Sequence, residues 1–155
     1  MTDKLWTIFA RWLVGHPRRV DWIIRRAKRK PYVHLTNYMG RWWLIQPSRF
    51  LPFSIRVHHI LRADNDRTPH NHPWAFRTIV LRGWYVEELG FSFGTSTLVA
   101  GAGETYARTT DQYHRIAHVP RGGVWTLFIM GKKRGQWGFL VDGQHVNRRD
   151  YRQNV

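Results

Sequence analysis

The sequence predicts an all-β domain, a barrel or sandwich of short strands preceded by two helices. Three observations carry that expectation. From Tyr32 onward the apolar residues recur with a period of two. The resulting runs are short and closely punctuated by turn signals such as Gly83, Gly90, Gly101, Gly103 and Gly131. The first thirty residues have helical spacing instead. Many short strands with close turns build a barrel or sandwich, not a parallel α/β sheet. At 155 residues, 43% hydrophobic and 15% aromatic, the chain has the size of one domain and the apolar content for a sizeable core.

The elements follow in chain order. Leu5, Ile8, Phe9 and Trp12 recur at i, i+3, i+4 and i+7, which marks a first helix stopped near Gly15. Pro17 suits the first turn of a second helix, whose stripe is Val20, Ile23, Ile24 and Ala27 and which Pro31 ends. That helix is basic: Arg18, Arg19, Arg25, Arg26, Lys28, Arg29 and Lys30 stand against Asp21. Strands are expected at 41–45, 54–62, 76–82, 84–88, 96–100, 113–118, 124–130 and 137–141. Residues 1–31 thus read as a basic helical segment, 32–146 as the barrel, and 147–155 as a flexible polar tail that frays.

Composition excludes several chemistries. With no cysteine, disulfide scaffolds, zinc fingers, iron–sulfur sites and thiol catalysis are ruled out, so any metal must be held by nitrogen or oxygen. The formal net charge of +15 favours anionic partners: a small anionic ligand, nucleic acid met by the basic helix at 17–30, or anionic lipid. A solvated helix face explains the same charge run. The apolar stretch from Leu5 to Val14 is broken by Arg11, falls far short of the roughly 20 residues a membrane span needs, and has no small-residue cleavage site. A cytoplasmic protein without a transmembrane segment is the expectation.

Nine histidines are present, and their positions matter more than their number. His70-Asn71-His72 is an H-x-H pair, and on extended chain residues i and i+2 point to one face, so both imidazoles can reach one ion. His114 follows Gly103 and the turn-like Thr109-Thr110-Asp111 and could supply a third ligand. Taken alone, the pair could equally be turn histidines before Pro73. His118 lies four residues beyond His114, about 13 Å along a strand, too far to grip the same ion. His59 shares parity with Ile55, Val57 and Leu61 and is read as inward-facing, while His16, His34, His58 and His145 are read as surface or capping residues.

These motifs resemble the cupin superfamily. In its first motif, His70 and His72 match the histidine pair and Gly83 the closing glycine, whereas Phe76 stands at the glutamate position and Asp64 at the opening glycine. In its second, Gly103 and His114 match at the right spacing, with Thr109, Asp111 and His118 replacing proline, glycine and asparagine. The stretch from Asp64 to Trp74 also looks like a group of small cupins found in phage and bacterial genomes. The resemblance implies a cupin-type β-barrel (a double-stranded β-helix) and a divalent metal held by His70, His72 and His114. Lacking the glutamate, the site resembles the three-histidine oxygenase cupins, for which iron(II) is the natural ion, although imidazole suits zinc, nickel and copper as well. Glu88 or Glu104 could supply a carboxylate from another strand.

If parity survives the turn at Pro73, Trp74, Phe76, Thr78 and Val80 share the face of His70 and His72 and line the interior; the first three are candidate substrate contacts. Arg67 and Arg82 are candidates for gripping a substrate carboxylate or phosphate, since guanidinium binds such groups bidentately. Asp66 could instead neutralise Arg67 within a turn. Tyr106 is the candidate acid/base or hydrogen-bonding group, and Tyr113 should face away from His114. The expected function is that of a non-haem iron(II) oxygenase-like protein acting on a small anionic substrate. The alternative is a non-catalytic cupin binding nucleic acid, a nucleotide or protein through its basic surface, and the aromatic content permits a homodimer.

Overall fold

The computed structural model describes residues 1–66, 68–91 and 94–151. Arg67, named above as a candidate anion contact, lies outside the described residues. Two helices, α1 (Asp3–Val14) and α2 (Pro17–Lys28), precede ten strands. These are β1 (Met39–Ile45), β2 (Ser54–Ile60), β3 (Phe76–Arg82), β4 (Trp84–Phe91), β5 (Gly94–Gly101), β6 (Thr105–Arg108), β7 (Tyr113–His118), β8 (Val124–Met130), β9 (Gly138–Val141) and β10 (Gln144–Asn147). The first sheet has the order β1-β2-β8-β3-β6, the second β5-β4-β7, and β9 and β10 form a hairpin; neighbouring strands are antiparallel. The ladders form two open sheets and do not run around a closed circuit. Ile60, Val80 and Val124 from the first sheet meet Tyr85, Ala100 and Ile116 from the second in one buried cluster.

The first sheet is apolar on both faces. Its outer face carries Val57, Ile79, Leu81 and Leu127, which bury against Ala10 and Leu13 of α1 and Val20, Ile23, Ile24 and Ala27 of α2. Ion pairs Arg77–Asp3 and Arg82–Asp21 tie the helices to β3. On α2 the buried stripe is the one read from the sequence. On α1 it is not: Leu5, Ile8, Phe9 and Trp12 stay exposed, and Trp6, Ala10, Leu13 and Val14 meet the sheet. Both faces of α1 are apolar, so period alone does not select the buried one.

The doubly covered sheet also corrects the reading of β2. His59 faces the helix side, stacked on Trp125 with ring centroids 4.1 Å apart, while His58, read as a surface residue, is buried in the interior. Of the apolar residues sharing His59's parity, Val57 and Ile55 pack under the helices and not inside the sandwich, and Leu61 is exposed. Two further strands, β6 and β10, were not expected. β6 is four residues long, and β10 (Gln-His-Val-Asn) has too few apolar residues to show a period. At the β3–β4 turn Gly83 has φ +82°, and a Cβ there would stand 3.0 Å from the Gly123 carbonyl oxygen, so the backbone requires glycine. Beyond β10, Tyr151 docks back: its ring stacks on Phe139 at 3.8 Å and its hydroxyl reaches Asp66 Oδ1 (2.8 Å) and Thr68 Oγ1 (2.9 Å).

Candidate metal centre

The segment around His70 sits between β7 and β9. His70 N–H donates to the His114 carbonyl (2.9 Å) and His114 N–H to the His70 carbonyl (2.8 Å), so the two histidines are direct antiparallel partners with side chains on one face. Two residues on, His72 returns to that face. The intervening Asn71 points the other way and is buried. Its Oδ1 accepts from Gly138 N–H (2.8 Å) and its Nδ2 donates to the Thr110 carbonyl (2.7 Å), which fastens the H-x-H loop to β9 and to the turn before β7.

One ring nitrogen from each of His70, His72 and His114 lies within 4.8 Å of the others. His72 Nε2 and His114 Nε2 are 3.0 Å apart. Two nitrogens about 2.1 Å from one ion, at right angles around it, stand that far apart. The donor set fits a divalent ion, and the residues behind it strengthen the fit. His114 Nδ1 lies 2.6 Å from Glu87 Oε1, and the other Glu87 oxygen accepts from Arg108 Nη2 at 2.6 Å. His70 Nδ1 lies 4.0 Å from Asp64 Oδ2. Asp64 is itself fixed by the Tyr38 hydroxyl and by Ile116 N–H (2.8 Å). For His114 the carboxylate behind Nδ1 fixes the ring and directs Nε2 toward His72, as in metal-binding histidines generally.

Electrostatics favours the neutral form of His70 and His72. Burial, then the nearby His114 charge, holds His70 down to about 4, and the same causes push His72 well below the usual imidazole range. Burial works against ionised Glu87, yet its contacts with His114 and Arg108 outweigh it and hold that carboxyl below its ordinary value. Neutral imidazole lone pairs beside a buried ionised carboxylate are what a divalent cation requires.

The triad opens into a cavity of about 480 Å³. Trp74, Phe76 and Thr78 line it, so parity does survive the turn at Pro73. Phe76, at the glutamate position of the resembled motif, meets the His72 ring edge-on at 4.9 Å. Arg82 does not reach the cavity: it lies at the end of β3 beyond a register shift, its side chain 53% exposed and paired with Asp21 of α2 at 2.7 Å. Tyr106 is also outside the cavity wall, beside Glu104, with the Arg108 guanidinium 5.6 Å over its ring. The carboxylate facing the triad is neither Glu88, which pairs outward with Arg115 at 2.7 Å, nor Glu104, which accepts from Gly101 N–H at 2.5 Å. It is Glu87. Leu89 of β4 is paired with His114, which makes Glu87 the diagonal neighbour on the same face. His58 and Arg56, unmarked in the sequence, line the cavity from β2.

Fold and site together define a cupin-fold protein with a three-histidine cluster. No protein-family model and no curated protein matches the sequence. Among solved structures, hydroxypropylphosphonic acid epoxidase from S. wedmorenis matches with a TM-score of 0.55 and 15% identity over 68% of this chain and 56% of its own. An oxalate decarboxylase variant from Bacillus subtilis matches at 0.55 and 14% over 69% of this chain and 29% of its own. Vicilin from Corylus avellana (hazelnut) matches at 0.56 and 9% over 72% of this chain and 34% of its own. The chain therefore spans about half the epoxidase's length and about a third of the other two. At these identities the likeness establishes the fold, and the chemistry must be argued from the residues.

Proposed function

We propose that this chain is a divalent-metal cupin of the non-haem iron(II) oxygenase kind, acting on a small anionic substrate within the cavity. The observation that supports this most is the convergence of His70, His72 and His114 in front of a buried, ionised Glu87. A bound divalent ion supplies a Lewis acid and, as iron(II), a redox partner for dioxygen. The chain's own residues do the rest. Glu87 aims the His114 imidazole, Asp64 sets a negative charge near His70, Phe76 and Phe128 wall the triad with apolar surface, and Trp74 and Thr78 frame the space for a substrate. Histidine ligands add no negative charge to the ion, so an anionic ligand is favoured beside it. Protein loaded with iron(II) under nitrogen and then exposed to a panel of small carboxylates, thiols and phosphonates should consume oxygen with at least one of them. His114→Ala should not. Iron-loaded wild type that takes up no oxygen with any member would overturn the oxygenase reading.

A second reading rests on α2. Arg18, Arg25, Arg26, Lys28, Arg29 and Lys30 are all exposed, a face suited to phosphate backbones. On that reading, nucleic-acid binding falls steeply with salt, survives His114→Ala, and is lost when Arg25, Arg26, Lys28 and Arg29 are neutralised together. A filter-binding salt titration decides it.

A further inference from the structure

Within the same cavity the positive charge is unevenly matched. Of the acids that line it, Asp64 and Glu87 are engaged by Tyr38, Ile116 N–H, His114 and Arg108, and Asp66 accepts from Thr68 N–H and the Tyr151 hydroxyl. On the β1–β2 side stand Arg41 and Arg56, and neither pairs with a carboxylate among the described residues. Arg41 Nε donates to the Val33 carbonyl. Arg56 is held differently: its guanidinium lies 4.2 Å from the Tyr32 ring centroid and 4.3 Å from that of Trp43. Tyr32 and Trp43 meet edge to face with centroids 5.0 Å apart, so the guanidinium rests over an aromatic pair that holds it in place and leaves its donors for a planar or tetrahedral oxyanion.

Apart from His114 Nδ1, which faces Glu87, three enclosed nitrogens on the wall of this cavity lack a hydrogen-bond partner among the described residues: Arg56 Nε, Trp74 Nε1 and His58 Nε2. Buried donors are ordinarily satisfied, and an unsatisfied group in a native structure calls for an explanation. Here three occur together, two of them on alternate residues of β2 and therefore on one face. His58 is buried, and its ring stacks on Phe128 at 4.9 Å; Phe128 in turn meets the His72 ring at 6.0 Å. One aromatic ring thus separates this group from the metal triad. Arg56 and Trp74 also border a second pocket of about 230 Å³, whose rim carries Lys132 and Lys133 and extends the positive field toward solvent.

We propose that Arg56, with Trp74 Nε1 and His58 Nε2, forms an oxyanion subsite that anchors the carboxylate or phospho group of a short-chain substrate whose other end faces the three histidines. This deepens the proposed function by placing the substrate's charge, and it replaces Arg82 as the anchoring residue. Arg56 supplies the charge, and the neutral imidazole and indole supply direction. A skeleton of a few carbons spans one ring's width, which matches a small acid or phosphonate better than a nucleotide.

The test reads the anion without the metal. Indole N–H signals of ¹⁵N-labelled, chelator-treated full-length protein are followed while inorganic phosphate, and separately acetate, is added at constant ionic strength. Trp74→Phe assigns its signal. The Trp74 signal should move saturably with one or both anions, and which anion binds more tightly distinguishes a phospho group from a carboxylate. Arg56→Met should weaken that binding at least tenfold with an otherwise wild-type spectrum, and Arg56→Lys should recover part of it. His72→Ala should leave it intact, which separates this subsite from the metal reading. Saturable binding unaffected by Arg56→Met and Arg56→Lys, or no movement of the Trp74 signal with either anion, would overturn the proposal. Binding lost in His72→Ala but kept in Arg56→Met would place the anion at the triad and overturn it too.

Discussion

Glu87 carries two loads, and substitutions separate them. Its Oε1 lies 2.6 Å from His114 Nδ1 and its Oε2 accepts from Arg108 at 2.6 Å, all three residues buried. Glu87→Gln keeps the volume and removes the charge. Metal affinity, measured by chelator competition, should fall about 10- to 100-fold, the usual effect of losing a carboxylate behind a ligating histidine. Urea melts should show a loss of about 3 kcal/mol, because Arg108 is left as a buried charge without its partner. His58 gives a pH prediction. Burial first, then the charges of Arg56 and Arg41, pushes it down to about 3 from an ordinary 6.5. The unfolded chain therefore binds a proton below pH 6.5 that the folded chain refuses, and stability falls as the pH drops from 6.5 toward 3. The slope per such group is about 1.4 kcal/mol per pH unit. Metal-free wild type should lose stability over that window, and His58→Phe should lose about 1.4 kcal/mol less per unit. Equal slopes would contradict the buried neutral imidazole. The sequence displayed the ligands because H-x-H is a local pattern. Glu87 was hidden because apolar Trp84 and Val86 share one parity of β4 while Tyr85 and Leu89 share the other, so alternation does not reveal which face is inside.

The same ambiguity operates on whole elements. β3, β7 and β8 lie at the residues the sequence marks, since each is a compact apolar run bounded by glycine or turn residues. β2 was located correctly and faced wrongly, because helices covering the first sheet make both of its faces apolar and remove the in–out contrast. α1 shows the helical version: a period of 3.6 predicts that it is a helix, and two apolar stripes leave the buried one open. Between the ligands, Asn71 is an element-level fastener, since its side chain alone joins the H-x-H loop to two other segments. Asn71→Ala should cost about 1–3 kcal/mol by thermal or urea unfolding, the range for leaving buried partners unsatisfied. It should also weaken metal binding, although Asn71 is not a ligand. Normal affinity in that variant would show that the loop is held by its backbone bonds to Pro69, His70 and Asn71 alone.

At the scale of the molecule, two sheets meet over a shared core, two helices close one outer face, and the metal centre lies where β7, β9 and the His70 segment are stitched together. Placing three imidazoles side by side in a partly buried cluster costs solvation that a divalent ion would offset. Metal binding should therefore raise the thermal midpoint of the wild type, and chelation should lower it. The charge of +15 is a separate property, densest along residues 17–30, and its influence on partners should vanish with salt while the metal site persists. The measurement that bears most directly on the whole is elemental analysis of tag-free protein after anaerobic loading with iron(II), wild type beside His72→Ala. About one ion per chain in the wild type and none in the variant is the expected result. Equal metal in both, or none in either, would contradict the three-histidine centre.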